Sequence, residues 1–360
     1  MTDFYEIDFL DVEAKKSGDA IAMRYRVNGV TTIHVTDGGY QETGERLCNH
    51  IRTFYGWPKR IDFVVVTHQD GDHTGGLRTV LESFEVGELW MLRPWLYADQ
   101  LIHRFSRYSS VENLRRRLKE VYSNLAALEE IALARRIPIK EPFQGARIGQ
   151  FTVLAPSRRR FLDLIVESER TPEAKGYERT TMSSIFEGFK TTAAALVRSF
   201  WGQEIFPAEG TSAENEMSVV QYATLNNDRI LLTGDAGREA LTEAANFAPL
   251  VGLILPGITR FQVPHHGSRH NVSTEVLDRW LGPRRTSRLT EGLESFTAII
   301  SSAKEDPDHP RKSVIRAMIH RGAMVITTEG KTIRVSSAGA PPRPGWVPVP
   351  ATSYPEEQEE

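Results

Sequence analysis

Ile61-Asp62-Phe63-Val64-Val65-Val66-Thr67-His68-Gln69-Asp70-Gly71-Asp72-His73-Thr74-Gly75-Gly76 joins a β-branched apolar run to a loop holding two histidines and two aspartates within six positions. Ile61–Thr67 predicts a strand buried on both faces. A loop leaving the end of such a strand is free of ladder pairing and can turn several side chains toward one point. Imidazole and carboxylate together suit Zn, Mn or Fe. Gly71 is expected to relieve a tight backbone, and Gly75 and Gly76 to let the chain pass close beneath an ion.

Working outward, Phe4–Val12, Ala20–Val27 and Thr31–Thr36 read as strands, the last entering the turn Asp37-Gly38-Gly39. Tyr40–Tyr55 has a helical pattern closed by Gly56 and Pro58. Between about 95 and 214 the character changes. Val111, Leu114, Leu118, Val121, Leu125 and Leu128 form a stripe that predicts one long helix packed on the body of the same chain, with a partner-binding coiled coil as the alternative. Phe151–Leu154 reads as a short strand, while 168–214 is mixed and unassigned. Further strands are expected at Ser218–Leu225, Arg229–Thr233, Phe261–Val263, Phe296–Ser301 and Met324–Thr328. Helices are expected at Gly237–Phe247, Thr274–Leu281 and Lys312–Arg321. The expected division is one domain over 1–338, with a helical insertion at about 95–214, and a disordered Pro-rich acidic tail at 339–360.

The chain has 360 residues, 40% hydrophobic and 25% charged, with formal net charge −3. That balance gives no global attraction for nucleic acid, so polyanion binding would need local basic patches. Arg115-Arg116-Arg117, Arg135-Arg136, Arg158-Arg159-Arg160 and Arg284-Arg285 are such clusters. Runs of this kind usually form solvated faces, and a phosphate-tracking groove is the alternative. A single cysteine, Cys48, rules out an internal disulfide framework and a thiolate-rich zinc site. The first residues carry acids where a signal peptide needs a basic segment, and the apolar stretches are shorter than the roughly 20 residues that span a bilayer. The expectation is a cytoplasmic protein outside the membrane.

The loop resembles the HxHxDH signature of the metallo-β-lactamase superfamily, with Asp70 at the second histidine. Other motifs resemble the ComEC-type competence hydrolase domain in order: Phe9-Leu10-Asp11-Val12 with Gly18-Asp19-Ala20-Ile21, Asp37-Gly38-Gly39, Asn215-Glu216-Met217-Ser218, Leu231–Asp235, Val263–Ser268 and Asp308-His309-Pro310. The resemblance implies an α/β fold, the four-layer αββα sandwich with a helical insertion, and two divalent ions, Zn or Mn. It implies His68 and Asp70 on the first ion, Asp72, His73 and His266 on the second, and Asp235 bridging. Either His265 or His266 can be the ligand; with His266 assigned, His265 is left to touch a substrate phosphate. Asp37 would orient a ligand histidine, with Asn215 and Ser218 also in the outer shell. Asp72, His265 and His309 would serve the chemistry, His309 by proton donation or a phosphate hydrogen bond. The superfamily's further histidine for the first ion has no counterpart: His103 is the sole histidine in that interval and lies in the insertion, leaving Asn215 or water to complete the shell. Asp70 hardens the site and favours Mn.

Two ions held about 3.5–4 Å apart by a shared carboxylate make hydroxide available near neutral pH. The resulting expectation is a phosphodiesterase or nuclease acting on DNA or RNA. The alternatives are a hydrolase of a small ester, lactone or phosphoester, and a non-catalytic subunit binding a protein partner through the insertion. His34, His50, His270 and His320 are expected to be structural or exposed.

Overall fold

A computed structural model describes residues 2–12, 15–171 and 200–359. Residues 172–199, within the stretch left unassigned above, lie outside the described residues. The strands, in chain order, are β1 (Phe4–Phe9), β2 (Ala20–Val27), β3 (Val30–Gly38), β4 (Arg60–Val65), β5 (Glu85–Trp90), β6 (Ile139–Lys140), β7 (Arg147–Ile148), β8 (Phe151–Ala155), β9 (Val220–Leu225), β10 (Asp228–Leu232), β11 (Arg260–Gln262), β12 (Phe296–Ile300), β13 (Ala323–Thr327) and β14 (Ile333–Ser336). They form two seven-stranded sheets, β14-β1-β2-β3-β4-β5-β6 and β13-β12-β11-β10-β9-β8-β7.

The alternating strands β1 and β2 send Tyr5, Ile7, Phe9, Ile21, Met23 and Tyr25 inward, where they meet Phe151, Leu225, Ile230, Leu232 and Ile299 of the second sheet. The outer face of the first sheet is covered by the helices Thr43–Tyr55 and Leu77–Ser83. The outer face of the second is covered by Arg238–Phe247, Thr274–Leu281 and Lys312–His320. This is the expected α/β architecture, four layers in the order helix, sheet, sheet, helix.

β4 runs parallel between β3 and β5. Ile61, Val64 and Val65 are fully buried, as their β-branched run predicts. The first helix ends where Gly56 takes a left-handed conformation (φ 82) and its N–H bonds back to the Arg52 carbonyl.

The structure corrects three expectations. The leucine stripe is two helices, Val111–Val121 and Ser123–Ala134, because Tyr122 leaves helical geometry (φ −99, ψ 45). Leu114, Leu118, Leu125 and Leu128 are buried in the same core as the first sheet and its helices, so the stripe faces the chain's own body. The stretch 95–214 is not one helical insertion either: β6, β7 and β8 lie inside it and extend both sheets. The Pro-rich tail has no helix or strand but is pinned. Arg343 reaches Glu6 and Asp8, Arg316 donates to the carbonyls of Pro355 and Glu356, and Thr352 N–H donates to Val325. A polar tail can order where buried charges need its partners. Among the described residues no helix is long and apolar enough to cross a membrane.

Candidate metal centre

Every candidate ligand lies just past the carboxyl end of a strand, the edge where α/β sheets bind ligands. Asp37 closes β3, His68–His73 follow β4, Asp235 follows β10, and His265 and His266 follow β11. Asp37, His265 and His266 have φ of 56, 47 and 55. Left-handed backbone at three non-glycine residues is strained, and it persists where the surroundings over-determine it.

Asp235 is the hub. Its Oδ2 lies 3.5 Å from His68 Nε2 and 3.7 Å from His265 Nε2. Its Oδ1 lies 3.2 Å from His73 Nε2 and 3.9 Å from His266 Nε2. Each oxygen therefore faces its own pair of imidazoles. Asp70 Oδ2 joins the first group, 3.6 Å from His68 Nε2. Asp72 Oδ2 joins the second, 3.4 Å from His266 Nε2 and 3.8 Å from His73 Nε2.

Each imidazole is held from behind through Nδ1, which turns Nε2 inward. His73 Nδ1 donates to Asp37 Oδ2 at 2.8 Å. The Thr67 hydroxyl donates to the same Asp37 oxygen and sits 3.1 Å from His68 Nδ1, so one carboxylate steadies a histidine of each group. His266 Nδ1 donates to the Ser301 carbonyl at 2.9 Å. Asn271 donates to the Asp235 carbonyl and presents its side-chain oxygen to His265 Nδ1 at 3.0 Å.

The residues fit a bound divalent cation. Nε2 of His68, His73 and His266 and Oδ1 of Asp235 are buried without a hydrogen-bond partner, a costly state that a bound cation resolves. Groups of His68, His73 and Asp235, and of Asp72, His73 and His266, hold ligand atoms within 4.8 Å of one another. Burial alone would raise the carboxyl pKa of Asp235, but His73, His265, His266 and His68 outweigh it and hold the group well below the usual range. Burial likewise disfavours charge on His266, yet Asp235, Asp72 and Asp19 push its pKa up to about 9.

The glycine expectations change. A Cβ on Gly76 would stand 2.1 Å from the Gly38 carbonyl, and one on Gly75 2.6 Å from Gln41 N. These glycines let the signature loop close on the Asp37 turn. Gly71 would meet nothing nearer than Asn124 at 3.8 Å, so no close contact demands glycine there.

Of the other expected residues, Asn215 lies behind His265, with Nδ2 3.0 Å from its Nδ1. His309 stacks on His265, centroids 5.5 Å apart. Ser218 is buried, with no partner for its hydroxyl. His103 is not among the described metal-holding groups. His34 packs between Phe63 and Phe151, His50 faces Asp8, His320 faces Glu204, and His270 faces the Glu209 carbonyl.

Sequence reasoning gave no role to Asp19, Thr67, Arg170 or Asn271. Asp19 is buried, with Oδ2 3.9 Å from His73 Nδ1 and Oδ1 unpartnered. Arg170 places Nη1 2.9 Å from Asp70 Oδ1, and its side chain is 53% exposed. Asp19 ends a Gly-Asp pair already noted; Arg170 belongs to no local pattern.

Residues 38–116 match the model of the metallo-beta-lactamase superfamily. No curated protein matches the chain. Among solved structures, the hydrolase AbOPH, described as in the beta lactamase superfamily, is 12% identical over 67% of this chain and 75% of its own, TM-score 0.33. A putative metallo-beta-lactamase from Thermotoga maritima is 11% identical over 69% and 92%, TM-score 0.32. CmlA, a diiron beta-hydroxylase from Streptomyces venezuelae, is 13% identical over 93% and 54%, TM-score 0.41. At these scores the structural likenesses carry no argument about chemistry. The matched stretch contains His68, Asp70, Asp72 and His73, so the signature loop is the part of this chain that is similar to the metallo-beta-lactamase superfamily.

Proposed function

We propose that this protein is a metal-dependent hydrolase of the ComEC type that cleaves phosphodiesters, with DNA or RNA as substrate. The observation that carries the reading is the division of Asp235, each carboxylate oxygen facing a separate set of Nε2 atoms. Two divalent ions there would supply Lewis acidity and a water acidic enough to attack near neutral pH.

His68, Asp70 and His265 would hold the first ion and Asp72, His73 and His266 the second, with Asp235 facing both sets. His265 thus takes the place of the superfamily histidine that this sequence lacks, and Asn215 supports it from behind instead of ligating. The role moves from substrate contact to ligation because His265 Nε2 faces the same Asp235 oxygen as His68.

An anionic substrate is supported by Arg170. One arm of its guanidinium is tied to Asp70, and the exposed remainder can reach a non-bridging phosphate oxygen at the mouth. Burial, with His266 and His265 alongside, depresses the His309 pKa to about 4. His309 is therefore neutral at pH 7 and suited to donating a hydrogen bond to a phosphate oxygen; as a general acid it would carry too few protons.

The test is a panel of a chromogenic phosphodiester, a phosphomonoester, a lactone, and single- and double-stranded nucleic acids with Mn²⁺ or Zn²⁺, run beside Asp235→Ala. Diester and nucleic-acid cleavage should fall by more than about a hundredfold in the variant, beyond what loss of an outer-shell partner costs. Full activity in the variant would overturn the mechanism, and turnover confined to the lactone would overturn the substrate class.

A further inference from the structure

Most arginine runs noted in the sequence find partners on the surface. Arg115 pairs with Glu112, Arg117 with Glu120, and Arg160 with Glu239. Arg135 donates to the Phe84 carbonyl and Arg158 to Gln100. These are solvated faces of the ordinary kind.

Arg284 and Arg285 differ. With Arg229 and Arg321 they line an open cleft of 640 Å³ whose walls contain no aspartate or glutamate. Arg321 is neutralised by Glu204 and Asp278. Arg229, Arg284 and Arg285 make no ion pair with any described residue. Three uncompensated guanidinium groups around one cleft repel one another, and an anion between them relieves that repulsion.

Two of the groups pack over glycine, and the third has a backbone partner. Arg229 Nη1 lies over Gly257, where a Cβ would stand 2.5 Å from it, and Arg285 Nε lies over Gly322 at 2.7 Å. Any larger residue at either glycine would push its arginine away. Arg284 Nη1 donates to the Gly202 carbonyl at 2.8 Å. The hydroxyl-bearing Thr286 and Ser295 add polar groups to the wall.

We propose that this cleft is a second phosphate-binding site, separate from the metal centre, for a ligand carrying more than one phosphate charge. Three guanidinium groups match a pyrophosphate or successive backbone phosphates better than a lone carboxylate. The cleft sits at the amino ends of β10, β11 and β12, whereas Asp235, His265 and His266 follow the carboxyl ends of β10 and β11. Five strand residues put the two sites on the order of 15 Å apart. The same strands therefore carry phosphate recognition at one end and the hub carboxylate at the other. This proposal stands whether or not the centre is hydrolytic.

The experiment is calorimetric titration of the metal-loaded protein with ADP and, separately, with a short oligodeoxynucleotide, magnesium in excess so that neither probe strips the centre. Arg229→Gln and Arg285→Gln should each weaken binding by about tenfold or more. The same arginine substitutions made in an Asp235→Asn background, which disables the metal centre as a competing phosphate site, should weaken the remaining binding by the same factor. Arg284→Glu is at an exposed position where folding is not at stake, and its charge reversal should cost at least as much. Binding of ADP would name a free nucleotide as the source of the phosphates; binding of the oligonucleotide alone would name a nucleic-acid backbone. Absence of binding by either probe at millimolar concentration overturns the site. So does binding that Asp235→Asn abolishes and the arginine variants retain.

Discussion

His73 and His266 set the proton traffic of the centre. Burial opposes their charge, but Asp235, Asp72 and Asp37 raise the first well above 6.5, and Asp235, Asp72 and Asp19 raise the second to about 9. An entering ion must displace a proton from each Nε2. Metal affinity of the ligand-free protein should therefore rise about tenfold or more per pH unit from 6 toward 9 and level off only once both histidines have lost their protons. Titrations in buffers of different ionisation enthalpy will count the protons; none released at pH 7 would contradict this geometry. The sign for folding follows from the same shift. A histidine whose pKa is raised on folding adds stability below 6.5, and that contribution disappears as pH passes about 9. Much at this scale was legible in the sequence, because a strand end carrying His-x-Asp-x-Asp-His announces itself. Arg170 was not, since its tie to Asp70 spans 100 positions and leaves no periodic trace.

Elements explain why residues so distant in sequence converge. β3, β4, β10 and β11 deliver their carboxyl ends to one edge, and the sequence marked each of these strands by β-branched or alternating runs. It could not mark the break at Tyr122, because the leucine spacing runs on unbroken from Leu118 to Leu125 while the backbone turns. Asn124, just past that break, donates to the Gln69 carbonyl and so braces the signature loop. If the stripe faces the chain's own body, Leu118→Ala should cost about 2–5 kcal/mol of stability in urea unfolding. A partner-binding coiled coil would leave the isolated protein's stability unchanged.

At the scale of the molecule, the tail shows where composition misleads. Proline-rich acidic sequence reads as disordered, yet Arg343 is 4% exposed and bonds two fully buried carboxylates, Glu6 and Asp8. Composition records charge but not the buried carboxylates that await it some three hundred residues away. Arg343→Ala should cost about 3 kcal/mol, the lower end for breaking a buried pair, because Arg24, Arg334 and His50 remain as partners. Chemical denaturation of the variant beside the wild type checks it. The pairing of β1 with β14 has a temporal side. A ribosome adding about 5–20 residues per second finishes β1 on the order of tens of seconds before β14 emerges. Through that interval the newborn chain presents a bare strand flank, an opening for wrong neighbours that only the emergence of β14 closes.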